Sequence, residues 1–156
     1  EMLAEIVPNS CVIRPSYIFG FSLGKLDNRL TKARTLTQNN QNVKKFVDMF
    51  KSPAEVNQLA EIISMVGASD FRGVLHACGK RLSVHEFFQQ ALTALGERAD
   101  LLEQDRIPEK APLEYLVDTS LNSSQLQMKF GFTPVSMEVA LGNSKKEFAT
   151  KDQNHT

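Results

Sequence analysis

Short continuous apolar runs and apolar residues at helical spacing take turns along this chain. Met2-Leu3-Ala4-Glu5-Ile6-Val7 is helical in composition, is stopped by Pro8 and Asn9, and reads as the last turns of a longer helix. Cys11-Val12-Ile13 then reads as a strand covered on both faces, as in a parallel sheet, and Pro15 ends it because proline cannot donate to a ladder. Gly20, Ser22 and Gly24 mark a loop, after which Asp27 caps a helix carrying Leu30, Ala33 and Leu36 on one face. The polar cluster Gln38-Asn39-Asn40-Gln41-Asn42 closes that helix, and residues 43–47 make a short strand. Ser52-Pro53-Ala54-Glu55 reads as a capping box with proline at the first helical position. The helix it opens would bury Val56, Leu59, Ala60, Ile63 and Val66 and stop at Gly67.

The same alternation returns downstream. Gly73 precedes the compact strand Val74-Leu75-His76-Ala77, and Ser83-Val84-His85-Glu86 is a second capping box. Its helix has Phe87, Phe88, Ala91, Leu92 and Leu95 on the buried face and Gly96 at its end. From Asp100 to Asp118 the pattern is mixed and broken by Pro108 and Pro112, predicting loop with short extended pieces. Asn122 and Gln125 open a short helix through Lys129 that Gly131 stops, and Thr133-Pro134 starts another running to Leu141. Residues 142–156 are polar without an apolar period and are expected to be a disordered tail, leaving 1–141 as one folded region. Strand and helix in alternation argue for an α/β protein.

Composition narrows this only a little. The chain has 156 residues, 42% of them hydrophobic and 23% charged, with a formal net charge of zero, enough for one globular core. A neutral balance gives no support to nucleic acid or an anionic membrane as partner. No apolar run approaches the ~20 residues of a membrane span, so a soluble, cytoplasmic protein is expected. The two cysteines, Cys11 and Cys78, read as small core residues rather than a disulfide framework. His76, Cys78, His85 and Glu86 superficially suggest a metal set but lack the convergent spacing of one, so no metal is expected. His76 reads instead as a half-buried strand residue and His85 as an exposed first-turn residue. Asp48 is expected to fix the adjoining turn, Lys51-Ser52-Pro53, through local side-chain-to-backbone bonds.

Ligands of open parallel sheets gather beyond the carboxyl ends of the strands, which makes Ser16 to Gly20 the first place to look for chemistry. Here the residues also carry a family resemblance. Arg14-Pro15-Ser16-Tyr17-Ile18-Phe19-Gly20 comes first, then Asp48-Met49-Phe50-Lys51-Ser52-Pro53, then Gly73 to Gly79 with Leu82 to Phe87, and last Asp118-Thr119-Ser120-Leu121. In that order and spacing they resemble the C-terminal portion of an extended short-chain dehydrogenase/reductase, most similar to the dTDP-4-dehydrorhamnose reductase family of sugar-nucleotide reductases and epimerases. The fold so implied is the end of an NAD(P)-binding Rossmann-like α/β domain: its last sheet strands plus a small, mixed substrate-binding lobe.

The resemblance also implies absences. Such enzymes open with a glycine-rich turn that seats the dinucleotide pyrophosphate, and no Gly-x-x-Gly-x-x-Gly turn occurs in this chain. Their catalytic pair is spaced Tyr-x-x-x-Lys, whereas Phe21 stands four residues after Tyr17 and Thr119 four after Tyr115. No catalytic residue is therefore expected here, and the parent protein would use NADPH or NADH with those parts upstream of Glu1. By resemblance Pro15 and Ser16 lie against the nicotinamide end of the cofactor, and Ser16, Tyr17 and Arg14 face the nucleotide sugar. Tyr17 can equally be a packed loop aromatic, Ser16 a loop cap and Arg14 the partner of a carboxylate. Where rhamnose-forming reductases place Arg-Pro ahead of the last motif, this chain has Tyr115-Leu116, losing a phosphate clamp that the loop cations Lys80 and Arg81 either replace or, as solvated side chains, do not. Two functions stay open: the substrate-binding part of an NAD(P)-dependent reductase or epimerase, or a non-catalytic binding module of the same fold. In either, an unpaired edge at the first strand predicts a homo-oligomer.

Overall fold

A computed structural model of the chain describes residues 7, 9–109 and 115–142. The helix expected over residues 2–7 falls almost wholly outside these residues, as does the tail beyond Gly142. In chain order the strands are β1 (Cys11–Pro15), β2 (Ile18–Phe19), β3 (Phe21–Ser22), β4 (Lys25–Leu26), β5 (Val43–Phe46), β6 (Phe50–Lys51), β7 (Ala54–Glu55), β8 (Gly73–Ala77), β9 (Leu82–Ser83) and β10 (Leu102–Asp105). The helices are α1 (Asn28–Gln38), α2 (Val56–Gly67), α3 (Val84–Leu95) and α4 (Ser124–Phe130), and residues 137–142 are also helical.

Two parallel strand pairs frame the molecule. β1 lies beside β8 with Cys11 opposite Gly73 and Pro15 opposite Ala77, and β5 lies beside β10 with Val43 opposite Leu102. Short pairings fill the space between: β2 with β7 in parallel, β6 with β9 antiparallel, and the β3–β4 hairpin turning through Leu23 and Gly24, both at positive φ.

The helices start where side chains satisfy their first amides. Asp27 accepts from the backbone N–H groups of Arg29 (3.1 Å) and Leu30 (3.2 Å) and so opens α1. The Ser83–Glu86 capping box is complete, with Glu86 N–H donating to Ser83 Oγ (3.1 Å) and Ser83 N–H to Glu86 Oε2 (2.7 Å). Gly96, at φ 74°, ends α3 in the left-handed conformation.

The expected start of α2 is not the observed one. The helix begins at Val56, and Glu55 rather than Ser52 caps it, accepting from Asn57 and Gln58 N–H at 3.0 Å each. Residues 52–54 stay extended because their backbone is committed elsewhere: Ala54 N–H donates to Tyr17 O (2.8 Å), and Pro53 O accepts from Gly79 N–H (2.9 Å). The buried face is accordingly Leu59, Ile62 and Val66, with Ile63 52% exposed. His85, expected at the surface, is buried, since Val84 N–H donates to Met49 O (2.8 Å) and draws the first turn of α3 inward.

The core divides into two clusters. One surrounds α3, where Phe87, Phe88, Ala91 and Leu92 meet Phe19, Leu30, Ala33 and Val43. The other joins Leu59, Ile62 and Val66 of α2 to Leu75 and Ala77 of β8 and Leu126 of α4, with Cys11 and Ile13 against it. Val74 on the opposite side of that strand pair is 40% exposed.

Candidate functional site

Residues 49–55 run through the centre of the molecule and tie the remote segments together. Phe50 accepts at its carbonyl from Thr119 N–H (3.1 Å) and donates its own N–H to Val117 O (2.7 Å). Ser52, fully buried, donates its hydroxyl to Leu121 O and accepts Leu121 N–H, both at 3.0 Å. Together with the Tyr17 and Gly79 bonds, these make the four motif segments neighbours. Asp48 plays a longer-range part than expected, its carboxylate accepting Ile107 N–H from beyond β10 rather than bracing the adjacent turn.

At this junction the carboxyl end of β1 opens onto a cavity of about 590 Å3. Arg14, Pro15, Ser16 and Tyr17 all line it, so the four residues singled out in the sequence share one wall; Arg29, Lys51, Thr119 and Leu121 complete it. Lys51 Nζ donates to Thr119 Oγ1 (3.0 Å) across the opening. A second cavity of about 370 Å3 adjoins the first through Tyr17, Arg29 and Lys51, which line both. Its floor is apolar and aromatic, with Phe46, Phe87 and Phe88, and its rim carries Lys32, Lys44 and Lys45 in addition to Arg29 and Lys51.

Charge in this second cavity has one sign. Five cationic side chains line it, and among the described residues no carboxylate does. Lys45 stands with its Nζ 4.1 Å above the centre of the Phe88 ring, and burial, then the charges of Lys32 and Arg29, push its ammonium below the ordinary lysine value. An anion placed here would relieve that crowding. Sequence reading missed the set because its members lie on separate elements and the zero net charge hides a local excess. The Lys44-Lys45 doublet and the Arg29, Lys32 pair one helical turn apart were the available signals.

Tyr17 is held from three sides. Its hydroxyl donates to Asp27 Oδ1 (2.8 Å), its ring meets Phe87 edge-on at 5.2 Å, and the Arg29 guanidinium lies 4.7 Å from the ring centroid. Burial and the Asp27 carboxylate push the phenol pKa well above its ordinary value, so it stays neutral at physiological pH. The loop cations suggested as phosphate clamps are placed otherwise. Arg81 bonds Asp118 at 2.9 Å and stacks 3.6 Å from the centre of the Phe50 ring, while Lys80 faces a different cavity, on the far side of Pro53. The hydrogen bond from Ser120, with Arg81 in support, pulls the Asp118 carboxyl down to about 2.

His76 is half-buried, with Nδ1 3.2 Å from Asn122 O, and the Cys78 thiol donates to Leu121 O (3.3 Å). Burial raises the thiol pKa, which leaves Cys78 a protonated packing residue.

The likeness of this chain to known proteins lies in its fold. No family model matches it, and no curated protein does. Solved structures do. A dTDP-4-dehydrorhamnose reductase from Bacillus anthracis in complex with NADP superposes with a TM-score of 0.73 at 17% identity, over 92% of this chain and 50% of that one. One from Clostridium acetobutylicum gives 0.71 at 16% identity, over 93% and 51%. The Bordetella bronchiseptica enzyme WbmG, in complex with NAD and UDP, gives 0.62 at 17% identity, over 90% and 44%. The fold is the C-terminal portion of the Rossmann-like extended short-chain dehydrogenase/reductase fold. That is the fold implied by the motifs, and the chain spans about half the length of the structures it matches.

Proposed function

We propose that this chain is the nucleotide-sugar-binding half of an NAD(P)-dependent sugar-nucleotide reductase or epimerase of the dTDP-4-dehydrorhamnose reductase type. The observation that carries this reading is the pair of joined cavities: one aromatic and cationic without a described carboxylate, the other open at the end of β1. A nucleotide sugar divides in the same way. Its base and ribose suit the cavity floored by Phe46, Phe87 and Phe88, its diphosphate suits the shared cations, and its hexose suits the turn from Arg14 to Tyr17. Arg14 and Ser16 supply hydrogen bonds to sugar hydroxyls there.

Pro15 and Ser16 form the wall against which the nicotinamide of NADPH or NADH would rest, while the pyrophosphate has no glycine-rich turn to receive it in this chain. When bound, the cofactor supplies the hydride; this chain's residues position the acceptor. The dinucleotide-binding half would cover the exposed face of β1 and β8, since parallel strands are ordinarily covered on both sides. Without it, the edge of β1 favours self-association of the chain. A cytoplasmic setting belongs to the same reading; among the described residues no helix is long and apolar enough to cross a membrane.

Calorimetric titration of the chain with thymidine diphosphate and uridine diphosphate tests the reading, with saturable binding expected for at least one of them. A folded chain that binds neither refutes it. Binding that never leads to hydride consumption in the full-length protein, with nucleotide 4-keto-sugars and either NADH or NADPH, would mark a non-catalytic binding module.

A further inference from the structure

Resting on that reading, we infer that Arg29 is the arginine that grips the diphosphate in this chain, and that Tyr17 is a positioning residue acting through it. The chain carries Tyr115-Leu116 ahead of its last motif and no arginine there. Of the nearby alternatives, Arg81 is neutralised by Asp118 and pinned on Phe50. Lys51 is a point charge already tied to Thr119. Arg29 is the guanidinium that lines both cavities, at the place where a diphosphate linking a base in one to a hexose in the other must pass.

Its placement is built from the helix start outward. Asp27 caps α1 with the same oxygen that accepts the Tyr17 hydroxyl, and its second oxygen accepts Gly20 N–H at 3.4 Å. One carboxylate thus locks together the helix that carries Arg29 and the ring beneath it. The phenolic proton is spent on Asp27, and the guanidinium lies against the Tyr17 ring, 4.7 Å from its centroid. A guanidinium braced against a fixed ring can offer two N–H donors to two phosphate oxygens at less entropic cost than a freely rotating side chain. Lys32, one turn along α1, and Lys45 across the cavity add charge without that geometry.

The test uses the full 156-residue chain and a ladder of uridine, uridine monophosphate and uridine diphosphate, with the thymidine series alongside. For Arg29→Gln the expected result is a loss of about tenfold or more in diphosphate affinity, the size of one charge-assisted hydrogen-bond pair, with nucleoside affinity unchanged. Arg29→Lys is expected to restore only part of it, because charge returns without the fork. Tyr17→Phe keeps the ring and is expected to retain most of the diphosphate affinity, whereas Tyr17→Leu should lose nearly as much as Arg29→Gln and add little to it in the double variant. Arg29 is exposed, so its variants should melt with the parent chain, and they decide the matter should Tyr17→Leu fail to fold. Unchanged diphosphate affinity in Arg29→Gln, with the parent chain binding, overturns the inference alone. Failure of the parent chain to bind any phosphate overturns the reading beneath it as well.

Discussion

The two core clusters are built from similar residues yet enclosed very differently. Around α3 the helix is walled by α1, by β5 and β10, and by an aromatic set in which Phe87 meets Tyr17, Phe19 and Phe88 edge-on, each at 5.2 Å. Around β1 and β8 the helices α2 and α4 cover one side, and Val74 looks outward on the other. Among the described residues the first cluster is walled on several sides, whereas the second is covered on one face of its strand pair. The site lies where they meet, so Tyr17 and the aromatic floor belong to the enclosed side and Arg14 to Ser16 follow from the strand of the half-covered one.

Matched deletions put that contrast under the greatest strain. Leu92 and Leu75 are both fully buried, one in each cluster. Leu92→Ala is expected to cost about 4 kcal/mol in chemical denaturation, near the upper end for such truncations, because its cage cannot collapse. Leu75→Ala is expected to cost about 2 kcal/mol, because a strand pair open on one face can relax into the gap. Equal costs would refute the comparison.

Gly79 probes the seam between the clusters. A Cβ there would lie 2.5 Å from Pro53 O, a backbone atom with little freedom to retreat. Gly79→Ala is expected to cost about 2 kcal/mol by overpacking and to weaken diphosphate binding, since the same segment carries Lys51. A stable variant with intact binding would show the seam to be soft.

Ser83→Ala removes one arm of the α3 capping box and is expected to cost about 1 kcal/mol in thermal unfolding. The other arm gives a pH signature. The bonds from Ser83 hold the Glu86 carboxyl below its ordinary 4.5 in the folded state. That contribution is present above the unfolded value and is lost as pH falls below about 4.5 through the folded one. Glu86→Gln should flatten that part of the acid limb by a few tenths of a kcal/mol, the group being largely exposed to solvent. Smallest of all should be the difference in amide exchange between single elements: N–H groups of α3 are expected to exchange only through global unfolding, those of β1 through local opening as well.

Much of this was legible in the residues. The α3 helix, its capping box, its buried face and its terminal glycine follow from a period of 3.6 and from local chemistry that no tertiary context contradicts. The order of four motifs was enough to name the fold. Where the reading slipped, distant pairings had won. Ser52-Pro53-Ala54-Glu55 has the composition of a helix start, but Tyr17 and Gly79 take its backbone groups and hold it as a strand. His85 reads as a surface residue until Met49 draws the first turn of α3 inward.

The site divides along the same line. Arg14, Pro15, Ser16 and Tyr17 were visible because they are contiguous and follow a strand. Arg29, Lys45 and Lys51 were not, because a cavity sums charge over space while composition sums it over the chain. Sequence alone determined the elements, their caps and the family of folds, since these depend on neighbours a few residues apart. Tertiary structure decided which cations converge, which tyrosine proton is spent and which helices cover the first strand pair, since each depends on residues brought together only after the chain has closed on itself.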